Sequence, residues 1–381
     1  MKPTASQLKT IHSLQAIQRD LNARFVGREE AVTLLVLAVV AREHVLLIGP
    51  PGTAKTDLIQ RFADLINASR FSYLLTRFTE PSEIFGPLDF EQFQAGTYRI
   101  KTQDMLPSAE VVFLDEVFQG SSAILNTLLT LINERRFHNG AQLADAPLIS
   151  LFGASSELPE DPALRAFSDR FLLRLQVRPV GSVRLTELLD RGWKQERERQ
   201  GAGSSPPALQ IKDLAELSDI LADVDLEPVR PELSDLIGEL LAQGITLSDR
   251  RIVRAQRLVA AAALLREDGV ASQRDLWPLA HLWTEQSDAA PVRDAVYERI
   301  SADSGGPQAD GRSPDDLEAL AKYTADQVAD KPGVAARASV ITALKTLGEL
   351  LTQARTRYPT AGSTHIFIRK QQDRVSLLLE K

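Results

Sequence analysis

Two short stretches carry residue types whose spacing suits phosphate chemistry. The first is Gly49-Pro50-Pro51-Gly52-Thr53-Ala54-Lys55-Thr56. Gly49 and Gly52 let the backbone curl so that successive N–H groups point at phosphate oxygens. A helix starting at the end of this loop adds the partial positive charge of its N-terminus. Lys55 supplies a cation for the β- and γ-phosphates, and the Thr56 hydroxyl can ligate Mg²⁺. The general form of such a loop is G-x-x-x-x-G-K-[ST], and Ala54 stands where its second glycine is expected. A helical φ at Ala54 would make that replacement costless. The second stretch is Asp115-Glu116, a pair of carboxylates ending an apolar run. Asp115 suits Mg²⁺ held through its water shell, and Glu116 suits polarising an attacking water. Alone, each stretch has a plainer reading: a Gly-Pro turn that precedes a lysine, or acidic residues that solubilise a strand end. Their joint presence argues for a nucleoside triphosphate and Mg²⁺.

The flanking sequence supplies the elements that these residues need. His44–Ile48 is apolar and precedes the loop, and Asp57–Ala68 can be helical, which gives the required strand, turn and helix. Val111–Leu114 is wholly apolar, as in a strand buried on both faces of a parallel sheet. A ligand lies at the carboxyl ends of such strands. Further strands are expected at Phe71–Thr76, Leu148–Phe152 and Phe171–Val177, with a helix over Ser121–Arg135 between them. Strands alternating with helices make this region α/β with a mainly parallel five-stranded sheet. Before it, Leu8, Ile11, Leu14, Ile17 and Leu21 predict a helix over residues 6–23, and Glu29–Arg42 predicts a second, more buried one.

Residues 77–110 interrupt the alternation. Pro81, Gly86, Pro87 and Gly96 punctuate them, and Phe90–Phe93 and Thr97–Ile100 resemble short strand or hairpin pieces. Asn139-Gly140 is a favourable hairpin pair. After Pro179 the β character stops and the chain reads as helical to about Ile300, apart from a break at Gly201–Pro207. Arg250, Arg251, Arg254 and Arg257 crowd the start of one helix, Ser248–Leu265; such a run reads first as a solvated face. Residues 301–314 form a second linker, followed by helices near 315–330 and 335–357 and a possible strand at Thr364–Arg369.

Bulk composition narrows the function classes. A chain of 381 residues with 44% hydrophobic content can bury a large core in two or three domains. The net charge of −7 opposes nucleic acid or an anionic membrane as a general partner. The longest apolar run, Ala31–Ala41, is too short for a bilayer span, and the first twenty residues lack a signal-peptide core. With no cysteine, disulfide and thiolate chemistry are impossible. A soluble cytoplasmic protein is the simplest expectation.

Taken together, the motifs resemble the AAA+ ATPases, the loop and the Asp115-Glu116 pair matching Walker A and Walker B. The closer resemblance is to the MoxR family, in its RavA-like branch. It is carried by Leu75-Thr76-Arg77-Phe78, Glu83–Leu88, Val112–Glu116, Ala123–Leu129, Ile132–Arg135, Phe137–Gly140, Ser156-Glu157-Leu158-Pro159 and Ser248-Asp249-Arg250-Arg251. The resemblance implies a P-loop core with a helix-2 insert at about 77–110, an all-α lid and a small, mostly helical C-terminal region. The corresponding divisions are 1–180, 181–300 and 301–381. It further implies a hexameric ring with nucleotides between subunits. Val26-Gly27 matches the segment packing on adenine, and Ser156 matches sensor 1, which orients the attacking water. Arg170 matches the arginine finger reaching a neighbour's nucleotide, with Arg165 as the rival, and Arg250 matches the lid arginine, sensor 2. The family typically has Asn at sensor 1; Ser156 is shorter and puts the hydrolysis rate in question.

The function expected is ATP-driven remodelling of a protein partner, which the resemblance suggests carries a von Willebrand factor A domain. One alternative is a scaffold that assembles on ATP and hydrolyses it slowly. The other is a DNA-linked motor. Residues 77–110 hold Arg77, Arg99 and Lys101 against Glu80, Glu83, Asp89, Glu91, Asp104 and Glu110, the wrong sign for tracking phosphates.

Overall fold

The computed structural model describes residues 2–181, 184–201, 208–302, 314–329, 335–357 and 362–376. The first helix, α1 (Ala5–Arg24), opens on a capping box in which the Thr4 side chain and Gln7 exchange bonds. Its buried Ile11, Leu14, Ile17 and Leu21 recur at helical spacing and face α2 (Glu29–Ala41). All but one of the thirteen residues of α2 are buried, so it behaves as a core helix. Next come β1 (Val45–Ile48), α3 (Lys55–Leu65) and β2 (Arg70–Leu74), then α4 (Pro81–Phe85) and α5 (Phe90–Gln94). β3 (Val111–Asp115) leads to α6 (Ser122–Glu134), whose Ser121 side chain caps it by accepting from Ile124 N. A hairpin of β4 (Arg136–Asn139) and β5 (Gln142–Asp145) turns at Gly140, where φ is +65°. β6 (Ser150–Ser155), α7 (Pro162–Ser168) and β7 (Leu173–Gln176) complete the α/β part.

The main sheet has five strands in the order β2-β3-β6-β1-β7, and every pairing in it is parallel. Such a sheet needs both faces covered, and the central strands β1, β3 and β6 are buried almost throughout. β1 sits between β6 and β7, with Ile48 opposite both Ser155 and Gln176. All five strands therefore end along one edge.

The helices that follow are α8 (Leu185–Gly201), α9 (Ile211–Asp219), α10 (Arg230–Ala242), α11 (Asp249–Leu265) and α12 (Ala289–Ala302). α11 packs against α2, and its apolar residues join a single buried cluster running from Ile11 to Ile300. The last three, α13 (Pro314–Ala329), α14 (Ala335–Arg357) and α15 (Gly362–Ser376), bury a separate cluster of their own around Leu317, Leu347 and Ile368. No described helix is long and apolar enough to cross a membrane.

Several local expectations change. Phe90–Gln94 is a helical turn, because the Asp89 carboxylate accepts from the N–H groups of Glu91 and Gln92 and caps it. Only Ile100 of the second piece shows strand pairing, as an isolated bridge to Leu88. Thr364–Arg369 lies inside α15 and is not a strand; Ile368 and Val375, seven apart, face the terminal cluster. Tertiary packing there overrides the β preference of a branched, aromatic run. The linkers at 201–207 and 301–314 fall mostly outside the described residues.

Candidate functional site

The carboxyl-end edge of the sheet gathers the two chemical motifs. Gly49 leaves β1 with its N–H donating to Ser155 O at 2.9 Å. A Cβ on Gly49 would stand 2.0 Å from Val177 O, so only glycine allows this approach. Gly52 turns the loop at φ +77° with open space around it. Ala54 then caps α3 at φ +60°, ψ +25°, the left-handed region, and not the helical φ expected for it. An L-residue pays on the order of 1–2 kcal/mol for that conformation, which explains why the general loop pattern has glycine there. Beyond Ala54 the first-turn N–H groups of α3 have no intrahelical acceptor and suit an anion.

Lys55 is 7% exposed. Its ammonium donates to Gly49 O at 3.0 Å, Pro50 O at 2.9 Å and Thr53 Oγ1 at 3.3 Å. Burial lowers its pKa, while the carboxylates of Asp115 and Glu116 pull it back up. Those two acids, the last residue of β3 and the one after it, are thus electrostatic neighbours of the loop lysine. Glu116 sits at φ +48°, turned out of the strand by a left-handed residue, and its N–H donates to Asp115 Oδ1 at 3.1 Å. Ser156 follows the end of β6 and is exposed; it is Ser155 that is buried, its hydroxyl donating to Glu157 O. Both are set beside the loop by the Ile48–Ser155 register. The edge therefore offers a positive loop, a hydroxyl in Thr56 and two carboxylates, a donor set that fits a phosphate chain with a divalent cation.

Val26 is buried, and Gly27, at φ +66°, lines a cavity with Val177, Pro179 and Arg184. Two residues beside it were not singled out from sequence. Arg28 is buried and its Nε donates to Thr53 O at 2.9 Å, its Nη1 to Gly27 O at 2.7 Å. It ties the Gly27 turn to the phosphate loop. Arg184 backs the same turn, and only its distant partners reveal it.

Arg165, Arg170 and Arg250 lie elsewhere. Arg170 precedes β7, whose Leu173 pairs with Val45 at the start of β1, so it stands at the amino-end edge. Arg250 opens α11, and burial lowers its pKa first, then the like charges of Arg170 and Arg254. The two guanidiniums are therefore neighbours. Arg165 is half exposed and reaches Glu285 at 3.7 Å. Strands of four to six residues separate this edge from the phosphate loop, on the order of 13–20 Å.

The arginine run on α11 is not a solvated face. Arg251 is 1% exposed, and its guanidinium donates to Phe171 O at 2.8 Å, Leu172 O at 2.7 Å and Leu282 O at 2.8 Å. It also faces Asp169 at 3.6 Å, which the Ser248 hydroxyl bonds at 3.3 Å. Arg254 pairs at 3.0 Å with Glu43, fully buried just before β1. Periodicity could not reveal this, because the acceptors are carbonyls on two distant segments and carboxylates remote in sequence.

Residues 12–219 match the model of a family described as the MoxR domain in the MoxR-vWA-beta-propeller ternary systems, and residues 228–296 match an AAA lid domain. A protein of Methanocaldococcus jannaschii is 38% identical over 294 residues, covering 76% of this chain and 74% of its own. The chaperone MoxR1 of Mycobacterium tuberculosis is 24% identical, covering 55% of this chain and 53% of its own. A solved structure described as a candidate ATPase of Cytophaga hutchinsonii shares the fold, with a TM-score of 0.62 at 16% identity over 77% of this chain and 95% of its own.

Proposed function

The chain belongs to the MoxR family of AAA+ ATPases, and on that premise we propose that it hydrolyses Mg-ATP between subunits of a hexameric ring to remodel a protein partner. The observation that carries the reading is the separation of the two halves of the site. Lys55, Asp115 and Glu116 share the carboxyl-end edge, whereas Arg170 and Arg250 stand together at the other edge, too far to serve their own loop. A neighbouring copy brings the two edges together.

In this reading residues 1–180 form the nucleotide-binding core, 181–300 the lid and 301–381 a C-terminal domain. The loop N–H groups and Lys55 hold the β- and γ-phosphates. Thr56 and Asp115 hold Mg²⁺, which when bound screens the phosphate charge. Glu116 accepts a proton from the attacking water, and Ser156 orients that water. Phosphoryl transfer spreads charge over equatorial oxygens, and the neighbour's Arg170 and Arg250 offset it with bidentate guanidinium bonds. The partner we favour carries a von Willebrand factor A domain, in keeping with the description of the matched family.

A slow-hydrolysing scaffold is the second reading, favoured by the short, exposed Ser156 at the water-orienting position. Steady-state ATP turnover of wild type, Glu116→Gln and Arg170→Ala, each checked for ring size, separates the two. Activity in wild type with assembled but inactive variants supports hydrolysis between subunits. Wild type as slow as Glu116→Gln, with rings still forming on ATP, establishes the scaffold.

A further inference from the structure

Neither matched family model extends past residue 296, which leaves the three terminal helices without an assigned role. They carry a buried acid. Glu318 on α13 is 1% exposed, and burial of a carboxylate is costly unless it is paired and hydrogen-bonded. Both conditions are met, by different parts of the chain. Thr364 on α15 donates its hydroxyl to Glu318 Oε1 at 2.7 Å, within the bundle. Arg184, which belongs to the segment after β7, faces Glu318 Oε2 at 3.7 Å.

Arg184 is itself 5% exposed and held from two further sides, by Glu29 at 2.9 Å and Glu187 at 2.9 Å. Its guanidinium lies against the Gly27 turn, where an added Cβ would be 3.8 Å from Nη1. Thr364 lines the same cavity as Gly27, Arg28, Val177, Arg184 and Arg293. That cavity adjoins the phosphate loop, since Gly49 packs on Val177 O and Arg28 bonds Thr53 O. One wall comes from the turn before α2, a second from the chain leaving β7, and a third from the terminal bundle.

We propose that the terminal bundle closes the base end of the nucleotide site, with Glu318 acting as a positioning residue that holds Arg184 against the Gly27 turn. This rests on the nucleotide reading given above and adds to it that bundle docking and binding of a purine nucleotide are linked. Linkage is reciprocal: nucleotide tightens the bundle on the core by the same factor by which the docked bundle tightens nucleotide. The bundle reaches the Gly27 side of the site through Glu318 and Thr364, with no contact to Lys55, Asp115 or Glu116 among the described residues, so its effect falls on nucleotide affinity and base preference before the chemical step.

The test uses the full chain with a fluorescent ADP derivative, GDP as competitor, and hydrogen exchange of the terminal helices with and without ADP. Glu318→Lys sets a like charge against Arg184, and Thr364→Val removes the internal hydroxyl bond while keeping shape. Glu318→Lys is expected to weaken ADP about tenfold, the size of a typical coupling between two sites, and to narrow the preference for ADP over GDP. In turnover, KM for ATP rises while kcat at saturation stays within about twofold. ADP slows exchange in α13–α15 of wild type. Unchanged or tighter ADP binding in Glu318→Lys, or exchange in α13–α15 indifferent to ADP, overturns the proposal. Should Glu318→Lys not fold, Thr364→Val decides by the same readouts, with a weakening of about threefold expected. A wild type that binds no ADP at all overturns the nucleotide reading itself, an outcome distinct from ADP binding that ignores the bundle.

Discussion

The two edges of the sheet hold charge in opposite ways. At the carboxyl-end edge the charged groups of the two motifs bond locally, Lys55 to carbonyls five and six residues back and the Glu116 N–H to its neighbour Asp115, while Arg28 joins the loop at Thr53 O from 25 positions away. Strained backbone recurs there, with Ala54 and Glu116 both at positive φ. At the amino-end edge the contacts join distant segments. Arg251 bonds carbonyls on two other loops, Arg174 bonds Thr284 O 110 positions away, and Arg254 reaches Glu43, 211 positions away. The difference teaches how a site split between copies can be built. In the proposed split site, the half that would wrap a ligand is built mainly from two short motifs. In that reading, the half presented to another copy is braced by the buried guanidiniums of Arg251 and Arg174. Buried charges of this kind are costly to strand once a partner is lost.

The largest expected effect tests whether the edges cooperate across copies. Arg170→Ala should lose about a thousandfold in ATP turnover, the scale of an arginine finger. Mixing it with Lys55→Ala copies should restore a fraction of the activity, since each variant keeps one intact edge. No recovery on mixing, with mixed assemblies demonstrated, would place both edges' roles within one copy. Next in size, Arg251→Met should destabilise the fold by about 3 kcal/mol, because it strands the buried carbonyls of Phe171, Leu172 and Leu282 and unpairs the Asp169 carboxylate. A change in the denaturant midpoint equivalent to less than about 1 kcal/mol would show that the rigid edge does not depend on it.

His44 gives the same edge a pH signature. It is fully buried, its Nδ1 accepting from Leu151 N at 2.9 Å, and burial, then Arg135 and Arg254, lower its pKa from 6.5 to about 3. A folded pKa below the unfolded one means stability is present above pH 6.5 and lost as pH falls toward 3. The loss should be about 1.4 kcal/mol per pH unit, and His44→Asn, which can still accept from Leu151, should flatten it. Identical slopes for the two proteins in urea titrations between pH 6.5 and 5 would remove His44 as the source. The smallest effect concerns the local edge. Ala54→Gly relieves the left-handed strain and should stabilise by up to about 1 kcal/mol, offset in part by the freer unfolded chain. A destabilised variant would show that Ala54 does not carry the strain its φ implies.

What the amino-acid sequence determined alone was whatever depends on neighbours along the chain. The phosphate loop, the Asp115-Glu116 pair, the five strands and the helices around them are runs of residues whose spacing sets their own geometry. That is why the α/β fold and the family were legible before any coordinates. Three matters were decided only in the folded molecule. Ala54 took a positive φ because the loop must turn sharply between β1 and α3, and identity alone does not reveal a dihedral angle. Thr364–Arg369 became helix because Ile368 and Val375 had partners on two other helices. The arginines of α11 divided into a buried clamp and a neighbour of Arg170 because distant carbonyls and a buried glutamate happened to lie within reach. Such choices turn on groups brought together by chain closure, and no local pattern of residues encodes which distant group will be there.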